Sequence, residues 1–402
     1  MIPYYLFFGF FGLGAALDYF DVSERSTRVL REFVIYFGFF LILFFVGLRY
    51  KIASDWASYI QFYAYSPSFL ELFRNDNLAF SNGFIEPGFK ILMAICKDIG
   101  LDFFAFVFLI TFFNTISLYC FLKYNNIRRK IVFLAIILIL TTFAEFDILR
   151  QELSLHIILF SIRKNYISFW KKSILVLLGI AFHFSAVIFF LFFLFSYLKI
   201  NRFFLEIVTT MYFISLFLSL PIITTSFTLL SPFVGGGLEA LFSKTANLID
   251  DYGFSRNISL TTLLNLLFLI CLTWNIRRIK LTNSEEILLK VFLFYIIINI
   301  FFKEIKEIAD RFSYFFSFGV CFMFCLMPEL VPFKEKRWVF MTIPFIFISL
   351  RLFLHFQDPA IFFGQVPYRN LTFKTFYDEH EIIDRFEMMQ NIGSKNIEKQ
   401  KK

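Results

Sequence analysis

The chain is a series of apolar runs of membrane-crossing length, separated by short basic clusters. Phe33 to Leu48, Phe103 to Leu122, Phe203 to Leu220, Ile258 to Ile276 and Phe312 to Leu330 are such runs. A bilayer core takes roughly 20 apolar residues per helical crossing. Charged residues make up only 17% of the sequence, against roughly 25% in soluble domains, and the mean hydropathy is +0.70. The sequence therefore predicts an all-α, polytopic membrane bundle of about 11–13 spans. It is read as a single transmembrane domain over residues 1–402, with outer segments 49–85 and 221–257 and a polar, frayed tail at 378–402.

The net charge of +8 does not imply a nucleic-acid partner. Its Lys and Arg sit in short loops between spans, where the positive-inside rule expects them. That rule places Arg25, Arg28 and Arg31 in a cytoplasmic loop, and Arg128-Arg129-Lys130 on the same side. The 66 Phe suit an AT-rich bacterial genome better than an aromatic ligand box. Cys96, Cys120, Cys271, Cys321 and Cys325 lie in apolar runs without metal-ligand spacing, so no disulfide, metal or cofactor is expected. Met1 to Leu17 has no basic n-region or cleavage motif and reads as a retained first span.

Two shorter stretches break the pattern. Glu86-Pro87-Gly88-Phe89 opens an apolar stretch to Ile99. Proline at the first helical position marks a helix start, and the stretch is too short for a full crossing, which suggests a shallow or re-entrant helix. Ser173 to Leu198 is flanked by basic residues on both sides, which fits a helical hairpin with His183 at its tip or one tilted span. Phe362 to Phe376 is read as a re-entrant segment or a further crossing.

On this topology the outer-face charges are Arg49, Lys51, Asp55, Glu86, Glu145, Asp147, Arg150, Glu152 and the Lys303 to Arg311 cluster, with His183 nearby. Ionisable groups at membrane depth cost several kcal/mol and usually line a cavity or pair. Arg49, Arg150 and Arg311 each fall where an apolar span meets an outer loop, and guanidinium suits bidentate phosphate contacts. Asp55, Tyr59 and Tyr63 share one helical face. Each residue also has a plain reading. Arg49 can snorkel at the interface, Asp55 can cap a helix, Glu307 and Arg311 can form a local pair, and His183 can be a bonded core histidine. His156 reads mainly as packing.

The set Gly47-Leu48-Arg49-Tyr50, Asp55-Trp56, Tyr59, Glu86-Pro87-Gly88-Phe89, Leu149-Arg150-Gln151 and Ala181-Phe182-His183-Phe184-Ser185 resembles the EpsG-like branch of the Wzy-type O-antigen polymerases. Arg311-Phe312-Ser313-Tyr314 and Pro367-Tyr368-Arg369-Asn370 fit the same family less distinctively. Similar proteins often carry Gly where this chain has Ser54. The resemblance implies a GT-C-like glycosyltransferase of the bacterial inner membrane with its active site facing the periplasm. Its substrate would be an undecaprenyl-diphosphate-linked oligosaccharide, with membrane lipid and a chain-length regulator as partners. Arg49, Arg150 and Arg311 would stabilise the diphosphate, and His183, Asp55 or Glu86 would take the acceptor proton. Trp56, Tyr59 and Tyr314 would hold sugars. A flippase of lipid-linked sugars, an O-antigen ligase and, more weakly, an acetyltransferase are the competing readings.

Overall fold

The computed structural model describes residues 1–19, 25–74, 85–162, 168–217, 259–303, 305–330 and 337–400. Among them every regular element is helical. The expected outer loop with Gly235-Gly236-Gly237 lies outside the described residues. The contacts gather into two compact units. One comprises Met1–Leu191, Asn283–Glu285 and Glu335–Ile392, the other Phe192–Thr282, Glu286–Lys334 and Gly393–Lys402.

In the first unit, α1 (Ile2–Gly14) packs against α7 (Lys130–Glu145) and α16 (Arg337–His355). A buried carboxylate sets the start of α7. Asp18 accepts from the Ile131 and Val132 N–H groups at 2.7 and 3.0 Å, and Arg31 pairs with it at 2.6 Å. Helix α2 (Arg25–Ile42) carries Arg25, Arg28 and Arg31 on its first turns. The expected loop is therefore helix: hydropathy reports depth in the membrane, and a helix can run on past it.

Helix α6 (Phe103–Tyr124) starts at Asp102, which accepts from Ala105 N–H at 2.7 Å, the usual N-cap pattern. It packs on α8 (Leu149–Leu159), which in turn packs on α9 (Phe169–Phe182). The expected short helix is α5 (Pro87–Asp98), with Glu86 at its N-cap. Helices α3 (Trp56–Ala64) and α4 (Phe69–Arg74) lie in the segment before it. Tyr59, Tyr63, Phe89, Met93, Phe106 and Leu153 form the core that joins α3, α5, α6 and α8.

The second unit is smaller and begins in sequence within α10 (Ile188–Ser196). Helix α11 (Arg202–Phe217) packs on α12 (Leu260–Asn275), where Thr209 and Thr273 share a hydroxyl contact of 3.1 Å. Helix α13 (Asn283–Phe301) meets α15 (Ser317–Leu330) at Gly319, where an added Cβ would lie 2.5 Å from the Phe292 nitrogen. Small residues are what bring helix backbones close in lipid, where apolar area gives little drive. Between α13 and α15 lies α14 (Lys306–Tyr314), so Arg311 sits on a helix and not at a loop–span junction. Helices α14 and α15 are bent by 57° from one another. Charged sequence there imitates a loop in a hydropathy scan, while its residues still favour helix.

Three described helical stretches, Arg25–Gly47, Phe103–Tyr124 and Leu260–Arg278, are long and apolar enough to cross a membrane alone. Counting the two bent pairs as spans brings this to five. Helix α17 (Pro359–Gln365) turns by 97° from α16, a bend that a broken span or a re-entrant segment makes. The frayed tail is instead α18 (Glu379–Gln400).

The segment after α17 completes α2. That helix ends in a π-turn, Leu43–Gly47, and a helix end leaves its last carbonyls without intrahelical donors. Asn370 Nδ2 donates to the Phe44 carbonyl at 2.8 Å, Tyr368 Oη to Phe45 at 2.6 Å, and Arg49 Nη1 to Val46 at 2.7 Å. Leu371 N–H donates to Leu48 at 2.6 Å, and Arg49 and Asn370 form an isolated antiparallel bridge. Asn370→Ala should therefore lower stability by about 1 kcal/mol, the usual worth of a hydrogen bond to a partly buried carbonyl. A lowered melting temperature of the purified protein in detergent, with the helical signal kept, checks this.

Candidate functional site

The loop between α2 and α3 turns sharply. Lys51 and Ala53 adopt left-handed backbones, φ 49° and 72°, at a cost of roughly 1–2 kcal/mol per non-glycine residue. The turn is held from outside. Ala53 N–H donates to the Gly364 carbonyl at 3.0 Å. The Asp147 carboxylate, between α7 and α8, accepts from Ser54 N–H, Ser54 Oγ and Asp55 N–H at 2.7, 2.7 and 2.9 Å. Ser54 is thus used for its hydroxyl and is not a positive-φ position. Asp55 stands at the start of α3, but its side chain makes no cap bond. The cap comes from Asp147, 92 residues away, which no local sequence signal marks. Burial pushes the Asp147 carboxyl up, and the bonds from Ser54 and Asp55 pull it part of the way back.

Glu86 is the centre of the charged residues in this unit. Its Oε2 accepts from Arg150 Nη1 at 2.6 Å, and its Oε1 lies 3.0 Å from His183 Nδ1. Phe184 N–H points at the same oxygen from 3.4 Å. Arg150 Nε also reaches the Tyr59 hydroxyl at 3.4 Å. Each partner comes from a helix end. Glu86 opens α5, Arg150 is in the first turn of α8, and His183 is the extended residue where α9 stops, φ −158° and ψ 120°. The expected break at His183 is therefore present. Burial raises the Glu86 carboxyl, but the His183 bond and the Arg150 charge outweigh it and hold the group below the ordinary carboxylate range. An ionised carboxylate only accepts, so this contact places a proton on His183 Nδ1.

Beside this cluster is a small, partly open cleft, walled by Arg49, Lys51, Trp56, Tyr59, Phe104 and Leu149 among others. Tyr59 belongs to both. Arg49 is 6% exposed, and its guanidinium meets the Val46 and Glu145 carbonyls and lies 5.4 Å from the Phe146 ring centre. Trp56 packs edge-on against Phe386 of α18. Of the nine sequence candidates, Glu86, Arg150, His183 and Tyr59 share one hydrogen-bonded cluster, and Arg49 and Trp56 share the adjoining cleft. Asp55 is exposed and is not among the cleft's lining residues. Arg311 and Tyr314 belong to α14 in the second unit. His156, read as packing, is bonded to Glu152 at 3.0 Å, both buried within α8.

Helices this apolar, with a buried carboxylate held between a histidine and an arginine, define a polytopic membrane protein with a charged site of its own. The EpsG family profile matches residues 32–370, most of the chain, and the chain belongs to that family. Membership points to a polysaccharide-polymerase type of function. No curated protein and no solved structure matches.

The cluster depends on a close approach of α5 to α9. A Cβ on Gly88 would lie 2.7 Å from the Ala181 carbonyl oxygen and 3.0 Å from its carbon. Both are backbone atoms and cannot swing away. Gly88→Ala should therefore part Glu86 from His183 and abolish activity, whereas Gly9→Ala, which meets nothing within 4 Å, should be silent. Immunoblots and polymer gels of membranes from both variants provide the check.

Proposed function

We propose that the chain is an inverting glycosyltransferase that polymerises surface polysaccharide, an O-antigen polymerase of the bacterial inner membrane with its site facing the periplasm. The observation that carries this reading is the Glu86 carboxylate held between His183 Nδ1 at 3.0 Å and Arg150 Nη1 at 2.6 Å. Such a dyad fixes the histidine tautomer and aims Nε2 as a base. Histidine is the side chain that changes charge near neutral pH. On this reading His183 is the base, Glu86 orients it, and Asp55, exposed and apart from the pair, is not needed.

The reaction fits these groups. A sugar hydroxyl of one lipid-linked repeat attacks the anomeric carbon of the growing chain and gives its proton to His183 Nε2. A new C–O bond forms as the anomeric C–O bond to the diphosphate breaks. Undecaprenyl diphosphate leaves with the bonding pair, and configuration inverts. Diphosphate is already a good leaving group, so its departure calls for cations more than for an acid. Arg150 is the nearest cation to the base and keeps its side chain 23% exposed. Arg49 is the second proposed diphosphate cation of this unit. Trp56 and Tyr59 offer faces for sugars in the cleft. The GT-C-like architecture and a chain-length regulator as partner belong to the same proposal.

His183→Ala should lower polymerisation by about 10²–10⁴-fold, the usual worth of a positioned base, and Arg150→Ala should abolish it, both with protein levels unchanged. The measurement is the ladder of surface polysaccharide on a gel after complementing a deletion strain. The deletion itself should leave single-repeat chains. Repeats trapped inside would indicate a flippase, and free long polymer a ligase. Long chains retained in both variants would sink the site assignment.

A further inference from the structure

Lys51 is a cleft cation that the reaction scheme does not use. Its left-handed backbone is one that lysine seldom takes unaided, and the Arg369 guanidinium accounts for it. Nε donates to the Tyr50 carbonyl at 3.3 Å and Nη2 donates to the Lys51 carbonyl. These carbonyls belong to the two peptide units on either side of the Lys51 Cα. One planar fork therefore fixes both torsions, which a point charge does not do. Arg369 is itself held in place. It is 4% exposed, and its own carbonyl accepts from Tyr50 N–H at 3.1 Å.

The other end of Lys51 faces the cleft. Nζ lies 5.3 Å from the Tyr50 ring centre and 5.5 Å from that of Trp56, and it pairs with Glu379 at the start of α18. The Glu379 side chain is 46% exposed, so water already competes for the pair and holds it weakly. A diphosphate offers more charge and more acceptor oxygens than a single carboxylate.

We propose that Arg369 is a positioning residue that presents Lys51 to the cleft, and that Lys51, paired at rest with Glu379, is a further cation that meets the diphosphate of the lipid-linked donor. The proposal rests on the polymerase reading and adds to it one binding residue, one positioning residue and a resting counter-ion. It gives the Tyr368-Arg369-Asn370 stretch a role in ligand binding beyond capping α2.

The test is a double-mutant cycle on the purified full chain, with farnesyl diphosphate as the probe and affinity as the readout. Lys51→Gln should weaken binding by about tenfold, as expected for a lost hydrogen bond to a charged group, and Arg369→Ala by a similar factor. Lys51→Gln with Arg369→Ala should bind within about twofold of Lys51→Gln alone, because residues that act through one another are not additive. Losses that multiply would mean Arg369 only supports the fold and would overturn the proposal. Arg369→Lys carries the same cycle if Arg369→Ala yields no folded protein. Glu379→Gln should tighten binding several-fold, and an unchanged or weaker affinity would also overturn it. No binding of the probe by the parental protein would remove the polymerase reading itself. Binding with multiplying losses would remove only the link between Arg369 and Lys51.

Discussion

Backbone carbonyls at the end of α2 need donors, and in an apolar setting water does not supply them. The carbonyls of Phe44, Phe45 and Val46 in the π-turn at Leu43–Gly47 all find side-chain donors outside that turn. Tyr368, Asn370 and Leu371 bind them from more than 300 residues further along the chain, and Arg49 binds one from its own loop. The rest of the first unit depends on this closure. It sets where α2 stops, where the strained turn begins, and which residues of the turn reach the cleft. Asp147 and Gly364 then fix the far end of the turn. The loop is strained locally and held at both ends by groups distant in sequence, which is how strain persists in a folded protein.

The hydrogen-bonded cluster has the same character. Glu86, Arg150 and His183 are contributed by the ends of three helices and not by their middles. A helix end is where a side chain leaves the apolar stripe and where backbone donors such as Phe184 N–H are available. A charged site can therefore be assembled without breaking the apolar length of each helix. Gly88 against Ala181 shows how little room that assembly leaves.

Much of this was legible in the sequence. The proline at Pro87 marked the start of α5, and the run of apolar residues broken at His183 marked a helix break. Basic clusters and apolar runs located most helices to within a few residues. The failures share a cause, because hydropathy ranks depth and not backbone state. Arg25, Lys306 to Arg311 and Glu379 to Gln400 are polar and were expected as loop or tail, yet all are helical. Lys, Glu, Arg and Gln are good helix formers. The second failure concerns distance. Nothing near Ser54 reveals that Asp147 will cap α3, and nothing near Lys51 reveals Arg369. Glu86, Arg150 and His183 could each be singled out in the sequence, but their pairing could not.

The closure of α2 has a consequence for biogenesis. Ribosomes deliver the chain from its N-terminus, so the stretch from Arg49 to Trp56 is made long before Gly364, Tyr368, Arg369 and Asn370. Until those residues emerge, the Phe44 and Phe45 carbonyls lack their native donors and the Lys51 turn lacks its brace. The cleft is thus one of the last features of the first unit to take shape. A nascent chain already threaded into the bilayer would still lack its finished wall, and a chain cut short before Tyr368 would keep most of its helices without it.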